Sequence, residues 1–156
     1  MEAGRILLMR HAEKPDNSGD VNLSPAGHER AQKLVQYIPA TFGKPDFLFA
    51  AAISKQSERP YQTLKPLSKA TDVTIDTNYA DKDYAALAHH ILGKDHFTGK
   101  LVLVCWHHGE IPFFAHALGA KPLTYPDPWP ETVFNVILQF DLMSGVPTVR
   151  HVTEPF

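Results

Sequence analysis

Short apolar runs recur along the chain, and each gives way to polar residues. Ile6-Leu7-Leu8-Met9 leads into Arg10-His11, Asp46-Phe47-Leu48-Phe49-Ala50-Ala51-Ala52-Ile53 into Ser54-Lys55, and Leu101-Val102-Leu103-Val104-Cys105-Trp106 into His107-His108. Runs of this length predict strands buried on both faces of a sheet. Between them the period changes. Ala31, Leu34, Val35 and Ile38 share one helical face, with Ser24 suited to the N-cap and Pro25 to the first helical position. This predicts a helix to about Tyr37, ended by Pro39. Further helices are predicted from Ser57 to about Ala70, with Pro60 tolerated near the start, from Asp83 to Leu92, and from Ile111 to Leu118, closed by Gly119. Val73 to Asp76 predicts a short strand. Val133–Leu142, a Ser144-Gly145 turn and Thr148–Val152 predict a hairpin at the sheet edge.

Strands alternating with helices predict an α/β fold: a three-layer α/β/α sandwich with a mostly parallel central sheet. At 156 residues the expectation is a single domain spanning 1–156. The formal net charge of −2 gives no electrostatic footprint for nucleic acid or an anionic membrane, so an anionic ligand needs a local cluster of cations. One cysteine excludes an internal disulfide and fits a reducing compartment. No apolar run approaches the roughly 20 residues of a bilayer span, and Met1-Glu2-Ala3-Gly4-Arg5 lacks the apolar segment of a secretion signal. The expected location is cytoplasmic.

The chemistry is concentrated where strands end, the place where open α/β sheets form their sites. Strands running out into Arg10-His11 and His107-His108 would, if parallel, bring imidazoles to one rim. Such a rim suits acid–base, nucleophilic or metal chemistry. A cysteine phosphatase is excluded, because Ile111 stands six positions after Cys105 where an arginine is needed. No glycine-rich turn ending in Gly-Lys-Ser/Thr exists. The histidines at 89, 90, 96, 107, 108 and 116 form no His-Glu-x-x-His pair and stand with no CxxC. A third junction, Ser54 to Thr63, carries Arg59 in the first turn of a helix, a setting that favours phosphate. Arg10, Arg59, His11 and His108 around one point would hold a phosphoryl group through charge-assisted hydrogen bonds.

Four segments, in order, resemble the histidine phosphatase superfamily, also called phosphoglycerate mutase-like. Leu8-Met9-Arg10-His11-Ala12-Glu13 is similar to its Arg-His-Gly signature, with Ala12 in place of glycine. Leu23-Ser24-Pro25-Ala26-Gly27 through Gln32 resembles its Leu-Thr-x-x-Gly helix opening. Ser54 to Thr63 resembles its Ser-x-x-x-Arg-Ala-x-x-Thr segment, although Ser54 lies one residue too far from Arg59 and Pro60 replaces alanine. Val104 to Gly109 resembles the strand ending in the second His-Gly, and because Gly109 follows His108, the resemblance selects His108 over His107.

The resemblance implies a phosphoglycerate mutase-like fold and a metal-independent phosphatase acting through a phosphohistidine on His11, with no cofactor. Arg10, Arg59 and His108 would bind the phosphoryl group and keep His11 neutral. For the proton donor, Tyr79-Ala80-Asp81 resembles a Leu-x-Glu stretch, and Glu110 lies where other members carry an acid. Asp81 and Glu110 stand about equal, with Glu13 below them; Asp81 and Asp83 also fit a simple capping role. The chain leaves no room for the mutases' long insertion, so the implied substrate is a phosphomonoester or phosphohistidine, on a small molecule or a phosphoprotein. A catalytically silent module binding an anion or phosphoprotein is the alternative. Trp106 and Trp129 are expected to pack, with a pocket wall as their other possible role.

Overall fold

The computed structural model describes residues 4–17, 19–142 and 146–156. The Ser144-Gly145 turn and the first three residues of the N-terminal segment lie outside the described residues. The elements run β1 (Gly4–Arg10), α1 (Pro25–Phe42), β2 (Phe47–Ala50), α2 (Arg59–Thr71), β3 (Ile75–Asp76), α3 (Tyr84–Gly93), β4 (Leu101–Trp106), α4 (Ile111–Ala117), β5 (Val136–Leu142) and β6 (Thr148–Thr153). The sheet order is β3-β2-β4-β1-β5-β6. The first four of these strands are mutually parallel; β5 runs antiparallel to β1 and pairs with the edge strand β6 as a hairpin.

Period-two alternation distributes the core between the two faces. Ile6, Leu8, Val102, Val104 and Trp106 pack with Leu87, Ala88 and Ile91 of α3 and Ile111 and Phe114 of α4. Leu7, Met9, Leu103 and Cys105 pack with Leu34 and Ile38 of α1 and Leu64 and Leu67 of α2. These are the three layers, a pair of helices on each face of the sheet. Because both faces of β1 and β4 are covered, the runs Ile6–Met9 and Leu101–Trp106 carry no charged residue before the rim. Among the described residues no helix is long and apolar enough to cross a membrane.

Three elements differ by three residues or more from their sequence-based bounds, and the others by two at most. Helix α1 continues past Pro39 to Phe42. Pro39 removes one helical N–H bond and crowds the preceding turn, but its carbonyl still accepts from Gly43 N–H at 3.0 Å, and the added turn packs Phe42 edge-on against Tyr37 at 6.2 Å. Strand β5 starts at Val136 rather than Val133, since the Val133 carbonyl instead accepts from Arg10 Nη1 at 3.3 Å and Trp129 Nε1 at 3.0 Å. Strand β2 ends at Ala50, after which Ala52 N–H bonds the Tyr79 carbonyl at 2.8 Å.

Candidate functional site

Neighbouring strands set the rim. The β1–β4 register pairs Arg10 with Trp106, and His11 N–H then donates to the Trp106 carbonyl at 3.0 Å. The next residue on each strand, His11 and His107, therefore meets its counterpart. Their rings lie 5.3 Å apart at 70°. A cavity of about 570 Å³ opens here, at the carboxyl ends of β1, β2 and β4. Its lining includes Arg10, His11, Arg59, Asp81, His107 and His108.

The backbone around His11 is held from three sides. Thr63 Oγ1 accepts from Ala12 N–H at 2.9 Å and donates to the Arg59 carbonyl at 2.8 Å, joining the start of α2 to this segment. The Glu13 carbonyl accepts from Ser24 N–H at 2.9 Å and from Ser24 Oγ at 3.2 Å. Gly27 sits so close that a Cβ there would lie 2.2 Å from the Glu13 oxygen. These contacts give physical content to the Leu23–Gly27 opening and to Thr63. His11 Nδ1 lies 2.7 Å from the Ala12 carbonyl, which can only accept, so Nδ1 carries the proton and Nε2 keeps its lone pair. Burial first, then His107, Arg10 and Arg59, push His11 down to about 2 against the pull of the Ala12 carbonyl. The imidazole is neutral.

Arg10 is 2% exposed. Its Nη1 donates to the Glu131 carbonyl at 2.5 Å, and its guanidinium lies 3.9 Å over the Phe134 ring. Nε and Nη2 are buried with no partner. A guanidinium held on one side and open on the other leaves two donors for an anion. Burial lowers its pKa to about 10. Arg59, the first residue of α2, is braced by the carbonyls of Asp20 and Asn22, and its own N–H is taken by Ser57 Oγ at 3.1 Å. Ser57, not Ser54, is thus the serine that contacts Arg59.

The second strand end brings two histidines to the cavity. The residue beside His11 is His107; His108 lines the same cavity one residue further on. Burial, then Arg59, His108 and Arg10, lower His107 to about 4. Burial, Arg10 and Lys14 lower His108 as well. The His-Gly pattern singled out His108, whereas the β1–β4 register brings the His107 ring against His11.

The three acids separate. Asp81 lines the cavity in a 3-10 turn, and its Oδ1 is buried without a partner. Burial, then Glu110, raises its pKa to about 6. Trp106 Nε1 donates to the Asp81 carbonyl at 2.8 Å, fixing the turn. Glu110 is the N-cap of α4 and does not line the cavity. Glu13 is bound by Arg30 through both oxygens, at 2.9 and 3.0 Å, and turns away from the chemistry.

Residues that sequence reasoning missed are Lys14 and Lys82 in the cavity wall and Phe134 against Arg10. Phe134 had no local signal; it stands far along the chain on the approach to β5. Trp129 is 3% exposed and packs rather than forming a wall. Among the described residues no three His, Cys, Asp or Glu side chains group as metal ligands.

No protein-family model matches the sequence, and none of the curated proteins matches it. Solved structures do match in three dimensions. The protein histidine phosphatase SixA complexed with tungstate superposes with a TM-score of 0.69 at 14% identity, over 96% of each chain. Phosphoglycerate mutase from Plasmodium falciparum gives 0.66 at 16% identity, over 96% of this chain and 90% of that one. The mycobacterial glucosyl-3-phosphoglycerate phosphatase gives 0.67 at 14%, over 97% and 98%. At these identities the likeness establishes the fold, which is phosphoglycerate mutase-like.

Proposed function

We propose that the chain is a metal-independent phosphatase of the histidine phosphatase type. It hydrolyses a phosphomonoester or phosphohistidine, with His11 as nucleophile. The observation that carries this reading is the state of His11: buried, neutral, its Nδ1 committed to Ala12, in a cavity with two arginines and a second imidazole. Histidine attacks only when neutral, and tautomer selection by a carbonyl leaves the attacking nitrogen free.

The step balances on the residues present. Nε2 of His11 attacks phosphorus; an N–P bond forms and the bond to the leaving group breaks. The departing oxygen or nitrogen takes the Asp81 proton. Water then attacks phosphorus and gives a proton to the Asp81 carboxylate; a P–O bond forms, the N–P bond breaks with its electron pair returning to His11 Nε2, and inorganic phosphate leaves. Arg10 Nε and Nη2, Arg59 and His107 donate to the equatorial oxygens, where charge stabilisation supplies most of the catalysis. Asp81 is the proposed donor on its burial, its unpartnered oxygen and its pKa of about 6. Glu110 acts by keeping that pKa high. In this reading His107 takes the role that the sequence pattern assigned to His108.

Hydrolysis of p-nitrophenyl phosphate from pH 4 to 8 tests the reading, with His11→Ala as control. Turnover that depends on His11 and survives EDTA supports it. Phosphate or tungstate binding without turnover would identify the silent anion-binding module instead.

A further inference from the structure

The cavity holds more positive charge than a phosphoryl group needs. Arg10 and Arg59, 2% and 9% exposed, form its buried part. Lys14 and Lys82, both exposed, line the same cavity toward solvent. Among the described residues the one carboxyl in the lining is Asp81, with a pKa raised by burial to about 6. A phosphomonoester carries close to two negative charges at neutral pH, its second pKa lying near 6. The two arginines match that charge; an ionised Asp81 offsets one lysine and leaves the other unmatched, and a protonated Asp81, the form that donates, leaves both unmatched. Neither lysine forms an ion pair among the described residues. Asp20 and Glu131 belong to the loops that brace the arginines and do not line the cavity. This concentration arises in a chain with net charge −2, so it is local and not a general property of the surface.

The placement adds direction. Lys14 follows the nucleophile segment and faces His108, whose pKa it helps to lower. Lys82 adjoins the proposed acid Asp81, where the leaving group departs. The same cavity is also lined by Ala52, Ile53 and Ala80, with Ile53 49% exposed. A volume of about 570 Å³ falls in the range of small-molecule sites.

We infer that the substrate is a small phosphorylated acid, bearing on its leaving group a second anionic group, a carboxylate or second phosphate, that Lys14 and Lys82 receive. The inference rests on the phosphatase reading for its orientation but concerns binding alone. The apolar wall takes the short carbon body that joins the two anions.

Equilibrium binding of non-hydrolysable phosphonates tests it without turnover. Propylphosphonate, 3-phosphonopropionate and 1,2-ethanediphosphonate share one head and one two-methylene reach; they end in a methyl, a carboxylate and a phosphonate. At 0.15 M salt the anionic tail is expected to tighten binding on the order of tenfold, the worth of a charge-assisted contact. The better of the two anionic tails identifies the source. In the Lys14→Gln/Lys82→Gln double variant the ratio to propylphosphonate should fall to about one, while Lys65→Gln, on α2 outside the cavity, keeps the wild-type ratio. Raising salt to 0.5 M should leave most of the preference if contact is direct, whereas long-range steering is screened away. Equal dissociation constants for the three ligands, no binding of any of them, a preference that survives the double variant, or one lost at 0.5 M overturns the inference. Failure of the phosphatase reading shows separately, as absence of His11-dependent turnover of p-nitrophenyl phosphate.

Discussion

His11 and His107 meet edge to face, 5.3 Å between ring centroids, at the ends of adjacent parallel strands. The arrangement follows from one register: Arg10 opposite Trp106 sets the two following residues side by side. Both imidazoles are buried enough to stay neutral, so neither repels the other and both present nitrogen to the same cavity.

The two candidate second histidines are therefore expected to differ. His107→Ala should lower kcat for p-nitrophenyl phosphate by on the order of 10²-fold or more, as loss of a preorganised donor does. His108→Ala should cost at least tenfold less. Steady-state kinetics on the two variants beside His11→Ala decides it, and the reverse order would restore His108.

Asp81 should govern the alkaline limb of activity. With its pKa at about 6, the proton is present below that pH and lost above it. For an alkyl phosphate, kcat/KM should fall through that region. Asp81→Asn should cost roughly 10²- to 10⁴-fold and flatten the limb, with a far smaller loss on p-nitrophenyl phosphate, whose leaving group needs no proton. Glu110→Gln removes a neighbouring negative charge, so the limb should move to lower pH with activity largely kept. A flat profile shared by both variants would reject Asp81.

Stability should carry the signature of Glu154. This residue is 2% exposed, bonds Arg30 Nη1 at 2.8 Å, and is pushed by burial up to about 7 from 4.5. A carboxyl with a raised folded-state pKa binds more protons folded than unfolded between those values. Its contribution to stability therefore falls as pH rises from about 4.5 to 7 and then levels. His11 and His107, with lowered values, contribute in the opposite sense, their stability being lost as pH falls below 6.5. Urea unfolding of wild type and Glu154→Gln across this range should differ by a component that declines with pH in wild type only. Arg30→Met leaves Glu13 and Glu154 unpaired and should cost about 3–5 kcal/mol at pH 8.

Gly27 should tolerate no side chain. Its Cβ would meet backbone, which cannot rotate away: the Glu13 oxygen at 2.2 Å. Gly27→Ala is expected to destabilise by about 1–3 kcal/mol and to lower kcat by displacing the segment that holds His11. Chemical denaturation and kinetics on the same sample check both, and wild-type values in each would contradict the role.

Much of this protein follows from local pattern. The bounds of β4, the start of α1 at Pro25 and the placing of Arg10, His11 and Arg59 at strand-to-helix junctions are written in apolar runs and periodicity, because a few neighbouring residues specify them. Three outcomes needed the folded chain. His107 rather than His108 faces His11, since adjacent residues at a strand end diverge and only the cross-strand register chooses between them. Asp81 is separated from Glu110 by its place in the cavity wall and its buried, unpartnered Oδ1, properties of the packed rim that neither sequence neighbourhood encodes. Arg10 is oriented by Glu131, Val133 and Phe134, more than 120 residues away along the chain. Such contacts depend on desolvation and close packing between distant segments, and these come into being only when the sheet has formed.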